Sequence, residues 1–409
     1  MKMTIKTILI IVLVLSFTVL LAGCVKKVIE KNEFVAKPIP TTAGFADKLN
    51  SQMPDDKNYM FSPLSIKMAL ALAANGADGQ TREQIVKAIG AENLDEFNES
   101  MASLIKAFGK SDKLKINVSN GVFVNTDNCP FDFSDEYKKV VKKYYDAEAK
   151  QVKNSNAVKT INSWVDKNTK GKIKEIISDN DFWAALVNAI YFKGAWEDEF
   201  SERATAPDIF TSADGQKTEI DFMNRTGHMS YSKSKDAEII SLPYKNSFSI
   251  IDNEGNYDEE YLRDASARMY LIKCKDGENI EELIDKAAFQ STRVKLSVPK
   301  FKIEYSAEIS EMLSHLGINV PFDKNSADFS SMMKLSEGSR LWIDQVLHKT
   351  YISVDEKGTE AAAVTAIMMD GATAARPVEP IVVKYDEPFF FVIEVNGEIL
   401  FMGRYAYAK

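Results

Sequence analysis

Few residues in this chain of 409 could carry chemistry. It has three histidines, His228, His315 and His348, and three cysteines, Cys24, Cys129 and Cys274. Nucleophilic catalysis would ask a histidine to draw a proton from a nearby serine or cysteine. No nucleophile elbow, zinc-binding helix, phosphate loop or dinucleotide fingerprint is present. No Cys-x-x-Cys pair or metal-ligand spacing occurs either. His348 alternates with Val346, Thr350, Ile352 and Val354. That places it on the inward face of a strand, where a lone histidine is usually a hydrogen-bonded core residue. No enzyme, metal site or cofactor is expected.

A different kind of chemistry is written between Val354 and Glu387. The run from Val354-Asp355-Glu356-Lys357-Gly358 to Ala374-Ala375-Arg376-Pro377 is rich in alanine, which suits a helix. Thr359, Val364, Thr365 and Ile367 are scattered through it, and these suit a strand. The stretch reads as able to be loop, helix or strand. Taken as a strand, Thr359, Ala361, Ala363 and Thr365 share one face, all small and uncharged. That face could enter the middle of a sheet without burying a charge. Glu360 falls on the other face, and Gly358 supplies the backbone freedom of a hinge.

The elements around this stretch are those of an ordinary globular protein, 45% hydrophobic and 27% charged. Length alone would allow two or three domains. A net charge of -8 argues against a nucleic-acid partner. At the N-terminus, Lys2 and Lys6 precede an apolar run, Ile8 to Leu21, that is short for a spanning helix. It ends in Leu21-Ala22-Gly23-Cys24 and reads as a cleaved secretory signal over residues 1–23. Leu-Ala-Gly-Cys resembles the bacterial lipobox, which implies lipid on the Cys24 sulfur. Residues 24–40 then read as a tether. The expectation is an exported chain, lipid-anchored to the cell membrane or outer membrane. Export permits a disulfide, but Cys129 and Cys274 are read as free or buried thiols.

Thr41 to Asn50 reads as a first helix. Ser62 before Pro63 is a helix cap followed by a first-turn proline, opening a helix that reaches Asn75-Gly76. Thr81-Arg82-Glu83-Gln84 repeats a capping signal. Leu114, Ile116, Val118, Val122 and Val124 alternate as a half-buried strand. Ile161 onward reads as a helix ending at Gly171. Ala184 to Trp196 is nearly all apolar, a strand buried on both faces, and Asn188 inside it needs hydrogen-bond partners. The segment 246–265, between Leu242-Pro243-Tyr244-Lys245 and Ala267 to Ile272, holds six acidic residues; its spacing does not match an EF-hand, and it reads as a solvated loop. Val294 to Ile303 alternates, and Glu308 to Leu316 reads as a helix stopped by Gly317. Phe389 to Val395 and Ile399 to Arg404 are strongly apolar strands.

Glu-Lys-Gly-Thr-Glu-Ala-Ala-Ala-Val-Thr-Ala, from Glu356 to Ala366, resembles the reactive-loop hinge of the serpins. Asn58 to Ile85, Ile161 to Ile173, Ala184 to Trp196, His348 and the C-terminal strands resemble further serpin segments in the right order. The resemblance covers about Thr41 to Lys409. It implies one α+β domain over residues 41–409, with three β-sheets (A, B, C), eight or nine helices and an exposed reactive-centre loop over about 356–385. It implies that Ser62, Ser65, Asn188 and His348 form a shutter that latches sheet A, and that Trp196, Lys300 and Glu356 mark the breach where insertion begins. The hinge would comprise Gly358, Thr359, Glu360, Ala361, Ala362, Ala363, Val364 and Thr365. Family spacing counted from Gly358 puts the scissile bond between Ala372 and Thr373, suited to elastase-like or subtilisin-like proteases. The implied activity is suicide-substrate inhibition of serine, or cysteine, proteases by a monomer, through acyl-enzyme trapping and loop insertion. Two rivals are a non-inhibitory surface binding module on the same fold, with the acidic insertion as its site, and a lipoprotein hydrolase.

Overall fold

The computed structural model describes residues 44–110, 114–245, 250–251, 257–258, 267–359, 379–395 and 397–408. The signal segment, Cys24, the tether, most of the acidic insertion, hinge residues Glu360, Ala361, Ala362, Ala363, Val364 and Thr365, and Ala372 and Thr373 lie outside them.

The described strands are β1 (Tyr59–Phe61), β2 (Lys115–Asn125), β3 (Glu148–Val152), β4 (Ala184–Ala195), β5 (Ala206–Thr211), β6 (Lys217–Lys233), β7 (Ala237–Pro243), β8 (Ile250–Ile251), β9 (Tyr257–Asp258), β10 (Ala267–Cys274), β11 (Gln290–Pro299), β12 (Phe301–Glu308), β13 (Gln345–Asp355), β14 (Gly358–Thr359), β15 (Ile381–Lys384), β16 (Phe389–Val395) and β17 (Glu398–Tyr405). One sheet has six strands in the order β12-β13-β14-β4-β2-β3. A second has nine, running β1-β17-β16-β10-β7-β6-β11-β15 with β5 also on β6. Two of the three expected sheets are thus joined in one ladder. The 17-residue β6 pairs β5 near its start, β11 along its middle and β7 at its end. Eight α-helices are described, among them Pro63–Gly76, Leu94–Lys110 and Ala157–Asn168.

The apolar run of β4 has a simple cause. Leu186, Ile190 and Phe192 join the main core between the sheets and the Pro63–Gly76 helix. Ala185, Val187 and Ala189, on the alternate face, join a second cluster under the Ala157–Asn168 helix, with Phe123, Ile161 and Trp164. With both faces covered, no polar alternation is called for.

Several boundaries differ from the sequence reading. The first described helix is Phe45–Asn50. Thr81 is not a cap: it lies inside the helix Gly79–Ala88, and its hydroxyl instead accepts from the Asp328 N–H. The alternation from Val294 to Ile303 spans two strands in different sheets, broken at Lys300, whose N–H bonds Asp221. Pro299 has no N–H to carry the ladder across that corner. Glu308 ends β12 and its carboxylate accepts from the Ser310 N–H, so the next helix is only Ser310–His315. The helix expected to run to Gly171 ends at Asn168. Cys129 is buried and Cys274 half-buried, and neither is in a disulfide.

Candidate functional site

The six-stranded sheet has a seam between β13 and β4. From Gln345 to Tyr351 the two strands pair directly, in parallel, with Ala185 to Tyr191. Higher up they part, and β14 lies between them, antiparallel to both. The chain leaves β13 at Asp355, turns through Glu356 and Lys357, and returns as Gly358–Thr359.

Halfway along the seam, a single row of side chains crosses three strands. His348 is in register with Asn188, and Asn188 with Asn120. The Ser62 N–H donates to His348 Nε2 at 3.0 Å. His348 Nδ1 therefore carries the proton, and it lies 2.6 Å from Asn188 Oδ1. Asn188 Nδ2 donates to the Ser65 carbonyl (2.9 Å), the Ser65 hydroxyl and Asn120 Oδ1 (2.6 Å). Ser62 in turn caps its helix by accepting from the Ser65 N–H at 3.2 Å. All five residues are buried. Burial alone pushes the His348 pKa down to about 3, so the imidazole is neutral at physiological pH. Ser62, Ser65, Asn188 and His348, singled out in the sequence, are thus in contact. Asn120 was missed, although it interrupts the apolar face Ile116, Val118, Val122 and Val124, which was a readable signal.

At the top of the seam a second group surrounds β14. Lys300 Nζ lies 3.1 Å from Glu356 Oε2, and the Thr205 hydroxyl donates to Glu356 Oε1 at 2.7 Å. Burial works against the Glu356 charge, but the Thr205 bond, a backbone bond and Lys300 outweigh it, and its pKa lies below the usual carboxylate value. Trp196 donates its indole N–H to the Asp355 carbonyl at 2.9 Å and stacks on Tyr244, centroids 4.6 Å apart. Tyr244 reaches Thr359: their hydroxyl oxygens are 2.7 Å apart. Burial drives the Tyr244 phenol far above its ordinary pKa, with the Thr359 bond a smaller opposing effect.

Backbone freedom makes this seat possible. Gly358 has φ +150°, and a Cβ there would lie 2.1 Å from the Gly194 carbonyl oxygen. A Cβ on Gly194 would meet both Leu114 and Tyr244 at 2.9 Å. Asp355 Oδ1 accepts from the Lys357 and Gly358 N–H groups and shapes the turn. The exposed stretch expected from 356 therefore needs correction at both ends. Glu356, Gly358 and Thr359 are buried, and Ile381–Lys384 is a strand paired with β11. Thr205, Tyr244 and Gly194 were not foreseen; their roles depend on contacts between distant segments.

The start of a long connection is thus lodged in the seam as a short strand between β13 and β4. The family model "Serpin (serine protease inhibitor)" matches residues 41–408, and the chain belongs to the serpin family. It is similar to Serpin-Z1C of Triticum aestivum, 33% identical over 85% of this chain and 89% of that one. It is also similar to Antitrypsin of Bombyx mori, 30% identical over 85% and 87% of the two chains. Among solved structures it resembles a thermophilic serpin, tengpin, in the native state: TM-score 0.77, 30% identity, covering 90% of this chain and 94% of that one. Membership places the protein among protease inhibitors, not enzymes, with target proteases as partners.

Proposed function

We propose that this protein is a suicide-substrate inhibitor of serine proteases that works by inserting its reactive loop along the β13–β4 seam. The observation that carries the reading is β14: the first two residues of the loop are already a strand between the parted ends of β13 and β4. The protease attacks between Ala372 and Thr373 and forms an acyl-enzyme. The freed loop then continues β14 down the seam. Each new ladder hydrogen bond contributes roughly 0.5–1.5 kcal/mol, so a dozen residues yield on the order of ten kcal/mol, enough to drive the switch. The small residues at Thr359, Ala361, Ala363 and Thr365 suit a strand whose inward face must pass over the core. Ser62, Ser65, Asn188 and His348 hold the seam shut, and Trp196, Lys300 and Glu356 frame its opening.

The residues before the bond, Asp370-Gly371-Ala372, suit elastase-like or subtilisin-like enzymes with small apolar subsites. The protein acts as a monomer, exported and held to a membrane by lipid on Cys24. The chain is mixed with such proteases and denatured in SDS without reductant. A band at the summed mass is expected, with the released peptide beginning at Thr373. Thr359→Arg should convert the inhibitor to a plain substrate. Loop cleavage that leaves every protease in a broad panel active would end this reading. Mass spectrometry of the membrane fraction should find a diacylglyceryl mass on Cys24, abolished by Cys24→Ser.

A further inference from the structure

The β13–β4 seam is parted by β14 at its top and closed by a separate group of side chains at its bottom. Direct pairing starts at Gln345 and Ala185. Just below, Trp183 directly precedes β4 and Trp342 lies shortly before β13. Their rings pack together, centroids 4.2 Å apart and planes 31° apart. Asp344 adds a second link across the seam. One carboxylate oxygen accepts from the Trp183 N–H and the other from the Trp342 indole N–H, while the Asp344 N–H donates to the Ala184 carbonyl at 3.0 Å. Each side is also anchored outward: the Trp183 carbonyl accepts from the Asn125 N–H, and the Ile343 N–H donates to the Pro321 carbonyl, both at 3.0 Å. Both indoles are half-buried against the main core.

The register of β14 says what would meet this group. Thr359 stands opposite Gly194 on one side and Val354 on the other. A strand that continued β14 would keep this register, since a slip of one residue turns every side chain to the wrong face. Met368 would then stand opposite both Ala185 and Gln345, which already pair with each other. The two strands therefore need only part and need not slide. Further down, Asp370 would arrive opposite Trp183, and Gly371 opposite Trp342. By strand alternation Gly371 shares the inward face with Thr359. It brings no side chain past the Trp342 indole.

We propose that Trp183, Trp342 and Asp344 form a clasp at the bottom of the seam, which stays shut through most of the insertion and parts only for its last residues. The inference rests on the insertion reading given under the proposed function. It makes the two tryptophans positioning residues for the final stage, in which Ala372, carrying the acyl bond, is drawn to the end of the sheet. While the clasp is shut, insertion halts near Gln345 and Ala185. The tethered enzyme then has longer to hydrolyse its acyl bond and leave.

Two synthetic peptides, with the sequences of residues 360–367 and 360–372, are annealed to the full chain. Thermal melting reads occupation of the seam. The exciton signal of the paired indoles in circular dichroism reads the clasp, and it is assigned by its loss in Trp342→Phe. Both peptides are expected to raise the melting temperature, and only the longer one to abolish the signal. Trp342→Ala should speed annealing of the longer peptide about fivefold and leave the shorter one's rate unchanged. Trp342→Phe, which keeps an aromatic pair, should fall between parent and Trp342→Ala. A purely structural role would move both rates alike and would refute the clasp. If neither peptide raises the melting temperature, insertion itself is refuted and the clasp with it. If both raise it, but the signal survives the longer peptide or is already lost with the shorter, insertion stands and the clasp alone is refuted. The peptide comparison is made on the unmodified chain, so it stands even if a variant does not fold.

Discussion

The hydroxyl oxygens of Tyr244 and Thr359 lie 2.7 Å apart, and both residues are fully buried. Tyr244 directly follows β7 of the nine-stranded sheet, and Thr359 is the second residue of β14, where the proposed reactive loop begins. This bond fastens the start of the long connection into the seam. The seat is therefore held by a side chain as well as by the ladder of β14.

Tyr244→Phe should loosen that seat. It removes a bond of about 1 kcal/mol net and leaves the Thr359 hydroxyl buried without its partner. Hydrogen exchange of the Gly358 and Thr359 amides should accelerate about tenfold, while exchange in β16 and β17 stays unchanged. Unaltered exchange at Gly358 and Thr359 would show that the ladder alone holds β14.

Gly358→Ala tests the backbone side of the same seat. The added Cβ meets the Gly194 carbonyl oxygen at 2.1 Å and cannot be accommodated without displacing main chain. Protection of β14 should be lost and covalent trapping of protease should fall at least tenfold, with the rest of the fold intact by circular dichroism. A variant that traps as well as the parent would mean that insertion does not begin through this conformation.

Asn188→Ala removes the hub of the buried row. It strands the donor of His348 Nδ1 and the acceptor of Asn120 Oδ1, at a cost of about 3 kcal/mol. The native state should melt several degrees lower in differential scanning calorimetry, and should be lost faster on incubation at moderate temperature.

Acid should act on the same row through His348. Its folded pKa of about 3 lies below the ordinary 6.5, because burial disfavours the charged ring. The stability it supplies is present above pH 6.5 and drains away as pH falls toward 3. The native-state half-life should shorten over that range. His348→Gln, which keeps a donor and an acceptor but cannot titrate, should flatten the dependence.

Glu398 has the opposite sign. Burial raises its pKa to about 7, with Lys67 opposing and Glu394 and Glu281 adding to the rise. With its folded pKa above the ordinary 4.5, its stabilising contribution is full below pH 4.5 and is lost as pH climbs through 7. Glu398→Gln should remove this loss, read as a smaller difference in unfolding midpoint between pH 5 and pH 8. Because the two effects run in opposite directions over overlapping ranges, the single variants separate them.

Much of the scaffold was legible because local patterns decide local structure. Ser62 and Pro63 announced a helix that runs, as read, to Gly76, and the unbroken apolar run of β4 announced a strand covered on both faces. Boundaries failed where a side chain from elsewhere intervened. Asp328 claims the Thr81 hydroxyl, and the chain changes sheets at Lys300. Neither is visible to a reading that sees only neighbours in sequence.

What the sequence determined by itself is therefore the family, the elements and the identity of the polar residues that had to be satisfied: Asn188 and His348 sat on apolar faces and demanded partners. What only the tertiary structure decided is how they are satisfied and where the loop begins. The row from Asn120 to His348 exists because three strands meet in one register, a matter of pairing between segments 68 and 160 residues apart. Gly358 and Thr359 could have been loop, helix or strand by propensity. The parted ends of β13 and β4, the room left by Gly194 and the hydroxyl of Tyr244 make them a strand, since a ladder on both sides outweighs any local preference.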